Sequence, residues 1–372
     1  MSSISKLIAE KRIIVCCGSG GVGKTTTSAA LAMRAAQEGK RAVVITIDPA
    51  KRLATSLGLK ALGSKATDLT DHVNEALKAE NIKPITGRFF AVMPDTNETF
   101  ESWVRSMAGD NQGLAARVLK TSIYKIFAKE FSGTNEYMAM EKLYELYEEH
   151  QYDLVVLDTP PSANTRSFLE APRLLAGFFD DKMIKWFISP GSRILATGLK
   201  KVMEILEKLT GHGFISDLIE FTTALFALRT QFMENLCQVG DLLHQKDAAF
   251  IMVTSPERLS KNDTQGFVEL IHEQAYPFWG FVVNRVLGRK LKLAPGQTTP
   301  DNTLTTDKIE LEVLSKNFTL LTSTLEHEKD AFDFLRGLSA AQSKYNVALV
   351  PEQRSDVHSV SALLELSRQL GE

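Results

Sequence analysis

What this sequence of 372 residues has little of narrows it first. It holds only three cysteines, two adjacent at Cys16 and Cys17 and the third at Cys237. That excludes a disulfide framework, and no C-x-x-C pair or His/Cys group has the spacing of a zinc site. The seven histidines are scattered, none at ligand spacing beside other donors. Charge of one sign is also missing. Lys and Arg number 43 against 45 Asp and Glu, a net of −2. Binding of nucleic acid through bulk positive charge is therefore not expected. No run of about 18 uncharged apolar residues is present to span a bilayer. The opening MSSISKLIAEKRIIVCC carries no apolar segment ahead of a small-residue cleavage site. The expectation is a cytoplasmic chain in a reducing environment.

What is present is alternation. Short, continuous apolar runs ending in Gly, Asp, Pro or Asn read as buried parallel strands at 12–20, 41–50, 88–95, 152–161, 248–257, 280–286 and 346–352. Helix-length segments with apolar residues at three- and four-residue spacing join most of them. TTTSAALAMRAAQEGK is one, stopping at Gly39. Strand–helix alternation predicts an α/β fold with a doubly wound, mainly parallel sheet and ligands at the carboxyl ends of its strands. Two stretches break the pattern. Residues 97–149 are helical in period, with Phe100, Trp103, Val104 and Met107 on one face and Leu143, Leu146 and Tyr147 on another. Residues 171–245 contain no strand candidate and are rich in Phe, Leu, Ile and Met. The expected organisation is a core of 1–170 and 241–372 carrying a helical subdomain at 171–240. The polar stretch 294–308, with its two prolines, reads as a mobile loop.

Gly18-Ser19-Gly20-Gly21-Val22-Gly23-Lys24-Thr25 fits G-x-x-x-x-G-K-[ST], directly after a strand and opening a helix. Glycines let backbone N–H groups wrap phosphates, the helix N-terminus favours negative charge, Lys24 reaches the outer phosphates, and the Thr25 hydroxyl can ligate Mg²⁺. The expected nucleotide contacts are Gly20, Gly21, Val22, Gly23, Lys24, Thr25 and Thr26. Two acidic residues follow at strand ends, Asp48 in TIDPAKRL and Asp158 in VVLDTPPSANT. By itself Asp48 reads as a turn or N-cap residue. Asp158 has the form of the acid that closes an apolar strand and supports magnesium.

Taken in order, loop, Asp-Pro-Ala and Asp-Thr-Pro-Pro, the chain resembles the ArsA/GET family of P-loop ATPases, which drive arsenite pumps or target tail-anchored membrane proteins. The resemblance covers nearly the whole chain. DPAKRLATSLG (48–58) is similar to the family's first switch and DTPPSANTRSFLEAP (158–172) to its second. VVNRV (282–286) resembles the strand whose Asn contacts adenine, and VALVPEQ (347–353) the strand leading to the other side of the base pocket. The resemblance implies hydrolysis of ATP to ADP and phosphate with Mg²⁺. Asp48 and Lys24 would be catalytic, Asp48 orienting the attacking water. Thr25 and Asp158 would serve the metal, and Asn284 and Pro351 the base. It also implies a homodimer switched by nucleotide.

The chain departs from the family at Ser19, where members carry a lysine that reaches the neighbouring subunit's phosphates. Lys51, Arg52 and Arg166 are the candidates to replace that charge. The C-x-x-C zinc pair of eukaryotic targeting members is missing, as is the tandem repeat of the arsenite pump. With Cys16 and Cys17 in a strand and Cys237 alone, thiolate capture of a metalloid is not expected. The nitrogenase iron protein, ParA and MinD are set aside for want of cluster cysteines, a basic cluster and a basic C-terminal membrane helix. The apolar residues of 171–240 allow two readings: helices packed on one another and on the sheet, or a groove for an apolar helical client or membrane partner. Three roles follow: handling such a client, driving a pump for arsenite or another anion, and a slow regulatory switch.

Overall fold

The computed structural model describes residues 3–47, 52–121, 124, 134–159, 168–172, 176, 214–287, 308–342, 345–353 and 356–370. It divides into two compact units, Met1–Met93 with Glu149–Arg166 and Leu243–Glu372, and Pro94–Glu148 with Ser167–Leu242. The second takes in the helical stretch 94–148 as well as the residues around 171–240.

The first unit is built on a sheet of β1 (Ile13–Cys17), β2 (Arg41–Thr46), β3 (Thr67–Asp68), β4 (Arg88–Val92), β5 (Leu154–Asp158), β6 (Ala248–Thr254), β7 (Phe278–Val286) and β8 (Asn346–Pro351). The order is β3-β4-β2-β5-β1-β6-β7-β8, and only the β3–β4 pairing is antiparallel. Every predicted strand is present. β3, two residues long, had no apolar run to announce it. The doubly wound, mainly parallel α/β sheet expected from the alternation is the architecture observed.

Burial explains why the strand runs are apolar throughout. Both faces of a parallel sheet are covered, and all residues of β1, β5 and β6 are buried. The helix Lys24–Gln37 lies against the sheet through Ala29, Ala30, Leu31, Ala32, Met33 and Ala36. Small alanines let it approach closely. On its outer side the Ser367 hydroxyl of the helix Val360–Gln369 donates to Gln37 Oε1 at 2.8 Å. β1 lies between β5 and β6, while the chain leaves it for β2 on the far side of β5. The end of β1 is thus a point where connections part, and such points open a crevice for ligands.

The described residues of the second unit are helical. Asp95 caps the helix Thr96–Ala108 by accepting from the N–H groups of Asn97 and Glu98 at 2.9 and 3.0 Å. Phe100, Trp103, Val104 and Met107 are its buried face, as their period predicts. Trp103 packs edge-on against Phe232 of the helix Arg229–His244, centroids 4.4 Å apart. Its indole N–H donates to Asn235 Oδ1 at 2.9 Å. Tyr137 Oη lies 2.7 Å from the same oxygen and 3.1 Å from Glu141 Oε2, both on the helix Thr134–Glu148. Among the described residues no helix is long and apolar enough to cross a membrane. The loop expected at 294–308 falls outside the described residues but for Lys308, which opens the helix Lys308–Gln342.

Candidate functional site: a phosphate-binding loop

The loop after β1 is shaped by what surrounds its glycines. A Cβ on Gly18 would stand 2.1 Å from the Val253 carbonyl oxygen of β6, so only glycine fits beneath that strand. Gly23 has φ 93°, and a Cβ there would stand 2.2 Å from Asn284 Nδ2. Left-handed geometry at Gly23 turns the chain straight into the helix Lys24–Gln37, whose first ladder bond runs from Thr27 N–H to Gly23 O at 2.9 Å. Gly20, Gly21 and Val22 form the crown of the loop, with Thr25 and Thr26 in the first helical turn beside it.

Lys24 is almost fully buried, and its ammonium donates to the carbonyls of Gly18 and Ser19 at 2.9 and 3.0 Å. A buried cation held by neutral carbonyls is poised to exchange them for anionic oxygens, because charge-assisted bonds are about twice as strong as neutral ones. Thr25 Oγ1 donates to Asp158 Oδ2 at 2.6 Å. Thr46, at the end of β2, donates to the same oxygen at 3.0 Å. Asp158 is 2 % exposed at the carboxyl end of β5. The following Thr159 fixes that strand end to β1, its hydroxyl donating to Cys16 O at 2.8 Å. Three neighbouring strands therefore deliver a loop, a hydroxyl and a buried carboxylate to one point.

Of the residues read from the sequence, Gly20, Gly21, Val22, Gly23, Lys24, Thr25, Thr26, Asp158 and Asn284 come together here. Asn284 donates to Val22 O at 3.0 Å, so in this structure its amide supports the loop from β7. Next to it Arg285 has φ 60°, and the β7–β8 register slips between Val283 and Val286, a bulge that re-aims the strand end. Pro351 ends β8 opposite Val286. Asp48, Lys51 and Arg166 lie outside the described residues, and Arg52 opens the short helix Arg52–Ser56. Two neighbours were not singled out from the sequence. Thr46 closes a strand two positions before Asp48, a signal that was legible. Arg258, in TSPERLS, places Nη1 3.3 Å from Gly20 O, and nothing in its local sequence announces that.

Cys16 and Cys17 are fully buried in β1. Burial pushes both thiols up, that of Cys17 to about 12, so neither is a thiolate at neutral pH. Among the described residues no group of three His, Cys, Asp or Glu could hold a metal unaided. The donor set at the loop does fit a magnesium ion, which takes hard oxygens, keeps several waters and shares its shell with phosphates. Thr25 and Asp158 supply such oxygens beside the loop.

Comparison with known proteins agrees with this geometry. Residues 11–295 match the family ArsA_ATPase, described as anion-transporting ATPase. The chain is 24% identical to the "Putative arsenical pump-driving ATPase 2" of Aquifex aeolicus over 274 residues, 73% of this chain and 78% of that protein. It is 25% identical to the ATPase ASNA1 homolog 1 of Paramecium tetraurelia over 279 residues, 73% of each. With the ATPase GET3 of Malassezia globosa it shares 27% over 287 residues, 77% of this chain and 76% of the relative. The family match spans the loop, Asp158, Arg258 and Asn284. The chain belongs to the ArsA ATPase family, and it is an ATPase built on a phosphate-binding loop.

Proposed function

We propose that this chain is a Mg²⁺-dependent ATPase whose nucleotide state opens and closes a homodimer and so governs the binding of an apolar, helical protein client. The observation that carries the chemical half is the 2.6 Å contact between Thr25 Oγ1 and Asp158 Oδ2 at the mouth of the loop. In the reading, ATP seats its phosphates on the backbone N–H groups of Gly20 to Thr26, at the positive end of the helix dipole. Lys24 then leaves the carbonyls of Gly18 and Ser19 for phosphate oxygens. Thr25 and Asp158 hold Mg²⁺, which when bound neutralises charge on the phosphates. Asp48 orients the water that attacks the terminal phosphorus, giving ADP and phosphate. Little covalent work falls to the protein, since phosphoryl transfer is catalysed mainly by positioning and charge. Asn284 and Pro351 bound the site for adenine.

The client half rests on the family resemblance and on the helix Phe214–Ala227, which is strongly apolar and displays Phe226 at 42% exposure. Phe226 is the one exposed large hydrophobic side chain among the described residues. Phe221 on the same helix is buried, so substitution there would test folding, whereas Phe226 tests the surface. The test is co-purification with a peptide carrying a tail-anchored transmembrane helix, with and without ATP. Nucleotide-dependent capture, lost in Phe226→Asp and in Asp48→Asn, supports the reading. Capture unaffected by both substitutions contradicts it. The pump alternative is checked in parallel by adding arsenite. With the strand thiols held protonated, no stimulation of turnover is expected.

A further inference from the structure

The phosphate loop of this chain has a second cation against it. β6 runs beside β1 in the register Cys16↔Ile251 and Cys17↔Met252, and continues two residues past the end of β1. Beyond the buried Ser255, Pro256 begins a single 3₁₀ turn, closed by a bond from Arg258 N–H to Ser255 O at 3.1 Å. Proline at the first position fixes φ and forces an immediate turn. The turn returns Arg258 over the crown of the loop. Its Nη1 donates to Gly20 O at 3.3 Å. A Cβ on Gly21 would lie 3.4 Å from Cζ, 3.5 Å from Nη1 and 3.7 Å from Nε, so the guanidinium lies along the bare face of that glycine. Gly21 carries φ 78° as well.

Two features separate this from an ordinary surface arginine. The bond to Gly20 O is long for N–H···O, and the side chain is exposed, so little holds it there. A guanidinium has five donors in a flat fork, suited to phosphate oxygens. Lys24 already takes the carbonyls of Gly18 and Ser19, and Arg258 takes the next in line, Gly20. Both cations thus sit on the loop's own carbonyls, each in a weaker bond than a phosphate would offer. Ser19, whose carbonyl Lys24 takes, brings no charge of its own.

We propose that Arg258 is a catalytic cation of the ATP site. On nucleotide binding it exchanges Gly20 O for an oxygen of the terminal phosphate and offsets the charge that develops there during hydrolysis. This assignment rests on the reading of the loop as an ATP site. It adds Arg258 to Lys51, Arg52 and Arg166 as a source of the missing charge.

The test compares Arg258→Ala, Arg258→Gln and Arg258→Lys with wild type in steady-state phosphate release and in equilibrium binding of ATP and ADP. Glutamine keeps an N–H donor without charge but is two bonds shorter than arginine, so kcat in the variants is read together with the split between ATP and ADP binding. The assignment predicts a fall in kcat of about 10²-fold for both Ala and Gln, the scale of losing one transition-state donor, with part of it restored in Lys. Binding of ADP, which lacks the terminal phosphate, changes less than about threefold, whereas the preference for ATP over ADP narrows. Normal kcat in Arg258→Gln, or equal weakening of ATP and ADP binding, makes Arg258 a prop for the loop and overturns the assignment. A wild-type protein without turnover overturns the ATP-site reading itself; active wild type beside unchanged variants overturns the arginine alone.

Discussion

Glu141 in the helical unit offers a sharp test of the packing described for that unit. The Trp103 indole can only donate, so Asn235 must present its Oδ1 to it, and the same oxygen lies 2.7 Å from Tyr137 Oη. That contact uses the single proton of Tyr137. Its other neighbour, Glu141 Oε2 at 3.1 Å, is then bonded only if the carboxyl supplies a proton of its own. Asn235 Nδ2 donates to Glu141 Oε1 at 3.4 Å, a contact either form accepts. Burial, with the nearby Glu145 adding to it, pushes the carboxyl from its ordinary 4.5 up to about 7. The folded state therefore holds a proton that the unfolded state releases. The stabilisation is fully present below about pH 4.5 and is lost as pH rises through about 7. At 1.36 kcal/mol per unit the span is worth at most ~3 kcal/mol. Glu141→Gln puts a permanent N–H donor in place of the acid proton. The variant should match wild type near pH 5 and exceed it by ~2–3 kcal/mol at pH 8. The assay is urea unfolding read from Trp103 emission, with Trp186→Phe and Trp279→Phe as background. A variant less stable than wild type at pH 8, or two parallel pH profiles, would refute the proton count.

Other predictions concern the loop. Gly23→Ala adds a methyl 2.2 Å from Asn284 Nδ2 at φ 93°, and should weaken ADP binding at least tenfold. Because Asn284 also serves the base and the loop, calorimetry compares Gly23→Ala/Asn284→Ala with Asn284→Ala alone; a glycine penalty as large there as in wild type would mean the clash is irrelevant. Thr46→Val deletes a buried donor to Asp158, with a loss of about 1–2 kcal/mol in stability and a weaker response to Mg²⁺. An unchanged unfolding midpoint would contradict the bond.

The core was legible because parallel strands buried on both faces leave unbroken apolar runs, and β1, β5 and β6 fell inside the runs read as strands. The loop was legible because phosphate wrapping demands glycines at fixed offsets from Lys24. β3 left no trace, being two residues long and without an apolar run. Arg258 was hidden for a different reason. Its place depends on β6 lying next to β1, a pairing between segments 235 positions apart, as Ile13 opposite Ala248 shows. Asn284 was read from the family resemblance, but its bond to Val22 O, across 262 positions, was not. The faces of 97–149 were readable from helical period, but the polar network that joins Trp103 to Asn235 was not, because apolar spacing says nothing of buried hydrogen bonds.

Lys24, Thr25 and Asp158 are proposed to form one magnesium-dependent hydrolytic site. Phosphate release from ATP, measured for wild type, Lys24→Ala and Asp158→Asn across a Mg²⁺ titration, tests this proposal most directly. Asparagine can still accept from Thr25 and Thr46, so the strand ends stay joined and only the carboxylate charge is lost. Wild-type turnover should require Mg²⁺, fall at least about 10²-fold in each variant, and need more Mg²⁺ in Asp158→Asn. Turnover that persists in excess EDTA, or Asp158→Asn with the wild-type Mg²⁺ profile, would contradict it.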